Sequence, residues 1–507
     1  MRKTTRLISL VLALLMLLGT GSALAAEAGS LEHVTLEWYV AEGTKRDQEM
    51  VFAALNEYFE KTINTTVNFH FVDPSEYGSK VSTIVGSAQE VDIVNCNGQL
   101  PYVDYVKRGA FLPIEDMVKE YAPKTYELIP EGFWSAMYVD GHMYGIPSYK
   151  DSCNIPGIIY NKTLTDALGI DMSQYEYASV YDIIPVLYDI QAKRAEVFPE
   201  DKDLPIMREF PDVYDYSPYE TINSLAVVNI PGIEAFADMG AGEKVFNLYA
   251  TDEYRQYCHQ VLTLVEDNIV PFDAWNFDPS RTYTAEGKLA IAAFGSGYIT
   301  VAKDYGGPNY ECALLRGKNT VASTNYLHQA VNCISVTSKN PERAMMVLEL
   351  VNTDEFVATT LRFGLEGTHY TVGEDGILDF TGTANENAAD RAYYSWYGAQ
   401  FGSFMYSKIP SGYPANFIEL MKEANDNAIS DTNMGFIFDP KPVQNEIAAC
   451  SSVIGEYEVN LKFGFIDGHD NVDATVDEFV AKLNASGAEK IVAEAQAQLD
   501  AWRAENK

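Results

Sequence analysis

The side chains in this sequence that could act on another molecule are mainly aromatic rings that lie close to amides and carboxylates. Trp275 is followed directly by Asn276, and Trp396 precedes Gln400 by four positions. A ring offers a flat apolar face for stacking, and an amide offers hydrogen-bond donors and an acceptor. This combination predicts noncovalent binding of a ligand that has both apolar faces and polar groups. Each tryptophan could equally pack against a small satellite core.

Motifs of covalent or metal-assisted catalysis are missing from the sequence. There is no H-E-x-x-H, P-loop or G-x-G-x-x-G pattern after the first 25 residues, and Gly295-Ser296-Gly297 lacks the spacing of a nucleophile elbow. The seven histidines are dispersed, and the sequence marks no pair among its 72 acidic residues as the two carboxylates of a glycosidase. We therefore predict no enzymatic activity, no cofactor and no metal site, with a secreted glycoside hydrolase as the alternative.

Strands alternate with helices in the first part of the chain. Apolar residues take every second position in Val34–Val40, and Val67–Val72 and Val91–Val94 follow as two further short apolar runs. Such alternation predicts an α/β fold with a largely parallel sheet. Ligands of such sheets bind beyond the carboxyl ends of the strands. That edge would hold three candidate ligand-binding residues: Tyr39, Glu42 and Asn97.

The segment Asp140–Lys162 has the pattern of a passage between two lobes. Asp140-Gly141 predicts a tight hairpin, prolines follow at 147 and 156, and Ile158–Tyr160 begins a new buried strand. Tyr149 and Asp151 would then lie at the mouth of an interlobe cleft. A second crossing is expected before His328. The predicted lobes are residues 31–150 with 328–370, and 151–327 with 371–507, the latter including a helical C-terminal extension.

Residues 1–25 are expected to be a secretory signal peptide. Basic residues precede the apolar run Leu7–Leu18, and the small residues Ala23-Leu24-Ala25 follow it. We therefore expect an exported, extracellular or cell-surface protein. No cysteine lies near the expected cleavage site, so the usual attachment point of a bacterial lipoprotein is missing.

The composition of the chain restricts the kinds of partner and site that it can have. The formal net charge of −36 argues against binding to nucleic acid or to an anionic membrane surface. The six cysteines are widely spaced and form no C-x-x-C pair, which is untypical of a disulfide framework or a zinc site. Buried free thiols are expected, and a disulfide or two stays open.

Several segments resemble one known family. They are GAFLPIEDMVKEYAP, DGHMYGIPSYKD, GIIYNK, Gly435–Tyr457 and Lys482–Trp502. Together they are similar to bacterial extracellular solute-binding proteins of family 1, which include maltose-binding protein, and the last two segments resemble a lipoprotein-type Firmicutes subgroup. The resemblance implies a two-lobed periplasmic-binding-protein-like α/β fold of the class II type, with an interlobe cleft and a hinge. It also implies a monomeric capture subunit that delivers a carbohydrate to the permease subunits of an ABC importer.

A carbohydrate ligand fits the residue types selected above. Sugars have apolar C–H faces and a rim of hydroxyls, which match aromatic rings, amides and carboxylates. Trp38 shares its strand face with apolar residues and is assigned to the core, whereas Tyr39 points the other way. Glu42 and Asp151 could instead be solvated loop acids. A surface sugar sensor or adhesin without transport would share the fold. The candidate ligand-binding residues are Tyr39, Glu42, Asn97, Tyr149, Asp151, Trp275, Tyr298, Trp396 and Gln400.

Overall fold

The structure of the chain is a computed structural model. It describes residues 31–505 except for 88, 151–155, 173–182, 211–223, 226–234, 238–244, 273–285, 297–308, 315–320, 323, 388–389, 396–398, 414 and 431–432.

Helices and strands are numbered in chain order. The strands are β1 (Val34–Ala41), β2 (Thr65–Val72), β3 (Ile93–Cys96), β4 (Tyr138–Val139), β5 (His142–Met143), β6 (Gly145–Pro147), β7 (Pro156–Asn161), β8 (Ser224–Leu225), β9 (Ala235–Ala237), β10 (Val245–Asn247), β11 (Ile291–Ser296), β12 (Tyr310–Leu314), β13 (Val321–Ala322), β14 (Val331–Ile334), β15 (Thr371–Val372), β16 (Leu378–Asp379) and β17 (Ile429–Ser430). The α-helices are α1 (Gln48–Ile63), α2 (Pro74–Val85), α3 (Tyr102–Lys107), α4 (Glu115–Tyr121), α5 (Pro123–Leu128), α6 (Glu131–Ser135), α7 (Lys162–Ala167), α8 (Ile184–Val197), α9 (Asp252–Glu266), α10 (Thr324–Leu327), α11 (Pro341–Thr353), α12 (Glu355–Phe363), α13 (Phe417–Asp426), α14 (Gln444–Lys462), α15 (His469–Ala485) and α16 (Ala488–Glu505).

The chain divides into two compact units, with cuts after Lys150, Tyr326 and Ala415. The last cut differs from the sequence prediction, which assigned residues 371–507 to the second lobe. Residues 371–415 lie in the first unit because hydrogen bonds hold them to its helices. For example, Ser395 N–H donates to the carbonyl of Arg362 in α12 at 2.7 Å. Long-range backbone contacts of this kind leave no periodic pattern in the sequence.

The first unit is built on a five-stranded sheet with the order β2-β1-β3-β14-β6. β1 is parallel to β2 and β3, as the sequence predicts, but β14 is antiparallel to both β3 and β6. Trp38 is fully buried on one face of β1, with Phe69 of β2 5.5 Å away between ring centroids. Burying a large apolar side chain stabilises a fold by about 2–3 kcal/mol, so this face anchors the unit.

A tight hairpin leads into the last strand of that sheet. β4 and β5 pair in antiparallel register, and only Asp140 and Gly141 connect them. Both residues have positive φ angles, 51° and 84°, which a type I′ turn requires. The predicted hairpin is confirmed, and it directs the chain into β6 and Ser148.

The second unit has a three-stranded antiparallel sheet, β11-β7-β12, and a large helical part. Leu262 of α9, Ile454 of α14 and Phe479 of α15 belong to one buried apolar cluster in which α16 also takes part. The apolar stripes of these C-terminal helices are therefore core. In the described part of the chain, no helix is both long enough and apolar enough to cross a membrane.

Candidate functional site

One edge of the sheet in the first unit collects the ends of three strands. β1 and β3 are parallel and end there, and β6 ends there as well because it is antiparallel to β14, which is itself antiparallel to β3. Glu42, Asn97 and Ser148 are the residues that directly follow these strands. The edge is the position where open α/β sheets bind ligands. We call it the strand-end edge.

Glu42 lies at the centre of a compact polar network on this edge. One carboxylate oxygen, Oε1, accepts from the backbone N–H of Gly43 and from the Lys45 ammonium, both at 2.9 Å. The other, Oε2, accepts from Gln400 Nε2 at 2.8 Å and from the Ser395 hydroxyl. The Glu42 side chain is only 13% exposed. A charged group at this burial requires such compensation, since each unmet hydrogen bond would cost free energy.

Gln400 lies in a short 3₁₀ turn, Ala399–Phe401, that is fixed from both sides. The Ser148 hydroxyl donates to the carbonyl of Ala399. The Phe401 ring is fully buried and meets the Trp38 ring edge-on at 6.5 Å. The turn is thus held against the buried face of the sheet, which brings Gln400 to Glu42 across 358 positions of sequence.

The chain leaves this turn through a strained position supported by a buried arginine. Gly402 has φ 116°, and a Cβ atom there would lie 2.6 Å from the side-chain oxygen of Asn352. Arg362, which is fully buried, donates to the carbonyls of Gly402 at 2.8 Å and Ser403 at 3.2 Å. Burial lowers the pKa of the Arg362 guanidinium to about 9. Through its two hydrogen bonds the arginine holds the backbone of Gly402 and Ser403 in place.

Asn97 ends a chain of three amides that runs through the sheet. Its Nδ2 donates to Asn95 Oδ1 at 3.3 Å, and Asn95 Nδ2 donates to Asn332 Oδ1 at 3.4 Å. Asn97 Oδ1 accepts from the backbone N–H groups of Gln99 and Leu100. The side chain of Asn97 thereby orders its own loop. Its role as a ligand-binding residue stays a prediction.

Tyr39 takes a different position from the other predicted residues. It lies on the face of β1 opposite to Trp38, with its ring stacked on His70 at 4.2 Å. Glu37 accepts from that histidine at 2.5 Å, and burial together with the Glu37 charge raises the pKa of Tyr39. No described hydrogen bond or ring contact joins the Tyr39 side chain to Glu42 or Gln400. The structure does not bring these predicted residues into one network.

Tyr149 lies just past β6 and is 4% exposed, with its ring 5.9 Å from that of Phe133. Trp134 is 5% exposed and stacks on Tyr126 at 5.3 Å, so it packs within the unit. Four predicted ligand-binding residues lie outside the described residues: Asp151, Trp275, Tyr298 and Trp396.

Sequence reasoning missed Lys45, Ser395, Asn95 and Asn332. Three of them carried a readable signal. Lys45 stands three positions after Glu42, a spacing that permits an ion pair, and Asn95 and Asn332 each interrupt a strand that is otherwise apolar. Ser395 carried none that separates it from other polar residues. No group of three or more metal-ligating side chains occurs among the described residues.

The five-stranded sheet of the first unit and its strand-end edge have the α/β architecture that the sequence predicts for a solute-binding fold. Residues 41–199 match the family model described as bacterial extracellular solute-binding protein. Residues 432–504 match a second model, a domain of unknown function (DUF3502). The chain is thus similar to the bacterial extracellular solute-binding proteins over residues 41–199, less than half of its length.

Relatives and solved structures agree with this family. A carbohydrate ABC transporter substrate-binding protein of Streptococcus pneumoniae serotype 4 is 23% identical over 475 residues, which cover 90% of this chain and 89% of that protein. The crystal structure of an N-glycan transport solute binding protein from S. pneumoniae has a TM-score of 0.78 at 20% identity and covers 94% of this chain and 100% of that one. The same protein in complex with Man1GlcNAc has a TM-score of 0.68 at 19% identity, covering 92% and 99%. These likenesses establish the two-lobed α/β fold predicted from the sequence.

Proposed function

We propose that this protein is the extracellular receptor of an ABC importer and captures an oligosaccharide for delivery to membrane permease subunits. The observation that carries the proposal is the Glu42–Gln400 network, placed at the sheet edge where such folds hold their ligands. The pneumococcal relative is named a carbohydrate ABC transporter substrate-binding protein, and this supports the ligand class. The permease partner is inferred from the family.

The proposed contacts combine described and undescribed residues. Gln400 and Asn97 would hydrogen-bond to sugar hydroxyls from the strand-end edge, and Tyr39 and Tyr149 would contribute ring faces or their hydroxyls. The sequence adds further contacts that stay predictions: Asp151, Trp275, Tyr298 and Trp396. A sugar that stacks on one aromatic ring gains roughly 1 kcal/mol beyond the area it buries, if it behaves as aromatic pairs do.

A thermal-shift screen over oligosaccharides tests this proposal. The panel contains Man1GlcNAc, a maltodextrin and an oligomer of uronic acids. A ligand at 100 times its Kd stabilises the folded state by about 2.7 kcal/mol, so a tight ligand raises the melting temperature visibly. We expect at least one neutral glycan to do so. A panel without any shift would argue against a glycan receptor.

The same samples test the enzymatic alternative. After prolonged incubation each glycan is analysed for released monosaccharide by chromatography. We expect the glycan to be recovered intact, because the relatives are named as binding proteins and the sequence marks no catalytic pair of carboxylates. If a monosaccharide is released in stoichiometric or greater amounts, the protein is a glycoside hydrolase and the proposed receptor function is wrong.

Hinge closure and export are further parts of the proposal. A ligand that binds one conformation more tightly shifts the population toward it, so a bound glycan is expected to favour a closed form. Small-angle scattering with and without a demonstrated ligand tests this, and an unchanged radius of gyration would count against closure. Export through residues 1–25 is tested by the mass of the secreted protein, which should begin near residue 26 or 27.

A further inference from the structure

We infer that Glu42 is a positioning residue for Gln400, and that the Gln400 side-chain carbonyl is the acceptor this edge offers to a sugar hydroxyl. The sequence assigned hydroxyl binding to both residues. The structure separates their roles, because the two side chains differ in how their hydrogen-bonding capacity is used. This inference rests on the proposed function and specifies how the site works.

The Glu42 carboxylate is already saturated. A carboxylate has about four lone-pair positions. Two are used at Oε1 by Gly43 and Lys45, and two at Oε2 by Ser395 and Gln400. A sugar hydroxyl could reach Glu42 only by displacing one of these donors. Since the side chain is 13% exposed, the displaced group would have little water to bond to.

Gln400 is in the opposite situation. Its Nε2 donates to Glu42 at 2.8 Å and lies 3.3 Å from the Ser395 hydroxyl oxygen. Rotating the amide by half a turn would place Oε1 against the carboxylate, so the charge of Glu42 fixes which end faces it. Oε1 therefore points away from Glu42. Among the described residues, no protein donor is bonded to it, and the residue is partly exposed.

The backbone beneath Gln400 adds to this fixed orientation. The Ser148 hydroxyl holds Ala399, and Phe401 is buried against the Trp38 ring. Only the side chain of Gln400 remains to be ordered, and Glu42 orders it before any ligand arrives. Preorganisation of this kind raises affinity by removing an entropic cost of binding. The affinity of the natural protein therefore depends on Glu42 although this residue touches no ligand.

An exchange of the two residues tests the inference, with isothermal titration of Man1GlcNAc as the measurement. Gln400→Glu places two carboxylates in contact and should weaken binding at least about tenfold, since like charges at this distance repel strongly. In the double variant E42Q/Q400E the amide introduced at position 42 donates to the carboxylate introduced at position 400, which keeps its second oxygen as the acceptor. We expect recovery to within about threefold of the natural protein. If the double variant binds Man1GlcNAc more weakly than either single variant does, Glu42 contacts the sugar directly and the inference is wrong.

Glu349→Gln is the matched control. Its carboxylate accepts from the backbone N–H groups of Lys124 and Thr125 and from the Thr125 hydroxyl, within the same unit. This substitution removes the same charge but should leave the affinity unchanged. If Glu349→Gln loses as much affinity for Man1GlcNAc as Glu42→Gln does, the effect of Glu42→Gln is one of general destabilisation. That result would overturn the inference.

A second measurement separates this inference from the proposed function. The Gln400 side-chain amide is assigned in ¹⁵N spectra through its loss in Gln400→Ala. Its resonances should shift in Glu42→Gln and stay in place in Glu349→Gln, whether or not any glycan binds. If the Gln400 amide resonances do not shift in Glu42→Gln, only the positioning role of Glu42 is refuted. A natural protein that binds no glycan would refute the proposed function and with it the sugar contact of Gln400, but the positioning of Gln400 by Glu42 would stand.

Discussion

The two units each carry a cluster of carboxylates and basic side chains, and the clusters differ in their access to water. In the first unit, Glu42 is 13% exposed and Arg362 fully buried. In the second, Arg255 of α9 pairs with Asp473 and Asp477 of α15, with side chains 31%, 51% and 70% exposed. Exposed ion pairs contribute about 0–1 kcal/mol because water and salt screen them. Buried polar groups cost several times more when they lose a partner. The buried cluster can therefore hold a site in one geometry, and the exposed cluster cannot.

The largest effect is expected from Arg362→Ala in the first unit. The substitution leaves a cavity and removes the donor to the carbonyls of Ala358, Gly402 and Ser403. We expect a loss of about 3 kcal/mol in the free energy of unfolding, measured by chemical denaturation. Glycan affinity should fall as well, because the turn that carries Gln400 loses its support. A loss below about 1 kcal/mol would mean that the arginine carries little of the stability of this turn.

An intermediate effect is expected from pH, through the buried His369 of the first unit. Its Nδ1 accepts from the N–H of Leu365 at 3.0 Å, and its Nε2 lies 3.3 Å from a carboxylate oxygen of Asp47. Burial lowers the pKa of His369 although Asp47 opposes the shift. The unfolded chain thus takes up this proton first, near the ordinary pKa of about 6.5, so stability falls as the pH drops below that value. Denaturation of His369→Gln between pH 7.5 and 5 should show a shallower decline, and an equal slope would exclude this histidine as the cause.

The smallest effect is expected from Arg255→Ala in the second unit. It breaks both ion pairs of the exposed cluster. We expect a change within about 1 kcal/mol that shrinks further in 0.5 M salt, and no change in glycan affinity. A loss comparable to that of Arg362→Ala would remove the distinction between the two clusters.

Local structure was predictable where one short pattern decides it. The alternation in β1 and the Asp140-Gly141 hairpin are confirmed, and Pro341 stands in the first turn of α11, a position that proline favours. The sequence also suggests a helix cap at Thr475, with Glu478 three positions on, and a helix over residues 386–395, and both of these predictions are wrong. Thr475 lies inside α15, which begins at His469 after Gly468, so it is no helix cap. Residues 386–395 do not form a helix where they are described, because Asn385 hydrogen-bonds the backbone of Tyr393 on both its N–H and its carbonyl.

The strand-end edge was predictable from the sequence, but its polar network was predictable only in part. The rule that ligands lie beyond strand ends selects Glu42 and Asn97 correctly as neighbours of that edge. It cannot show that Gln400 joins Glu42, because this contact depends on how residues 371–415 fold back onto the sheet. Nor can composition distinguish a carboxylate that binds a ligand from one that is saturated by its own protein. That distinction requires the hydrogen bonds themselves.

The most direct test of the account is a calorimetric titration of Man1GlcNAc into the natural protein and into Gln400→Ala. The account predicts saturable binding to the natural protein at one site. It predicts affinity at least about fivefold weaker in the variant, since one hydrogen bond contributes about 1 kcal/mol. The melting temperature should fall only modestly, because Glu42 loses one of its four donors while the other three remain. Equal affinity of the two proteins would contradict the assignment of the strand-end edge as the ligand-binding site.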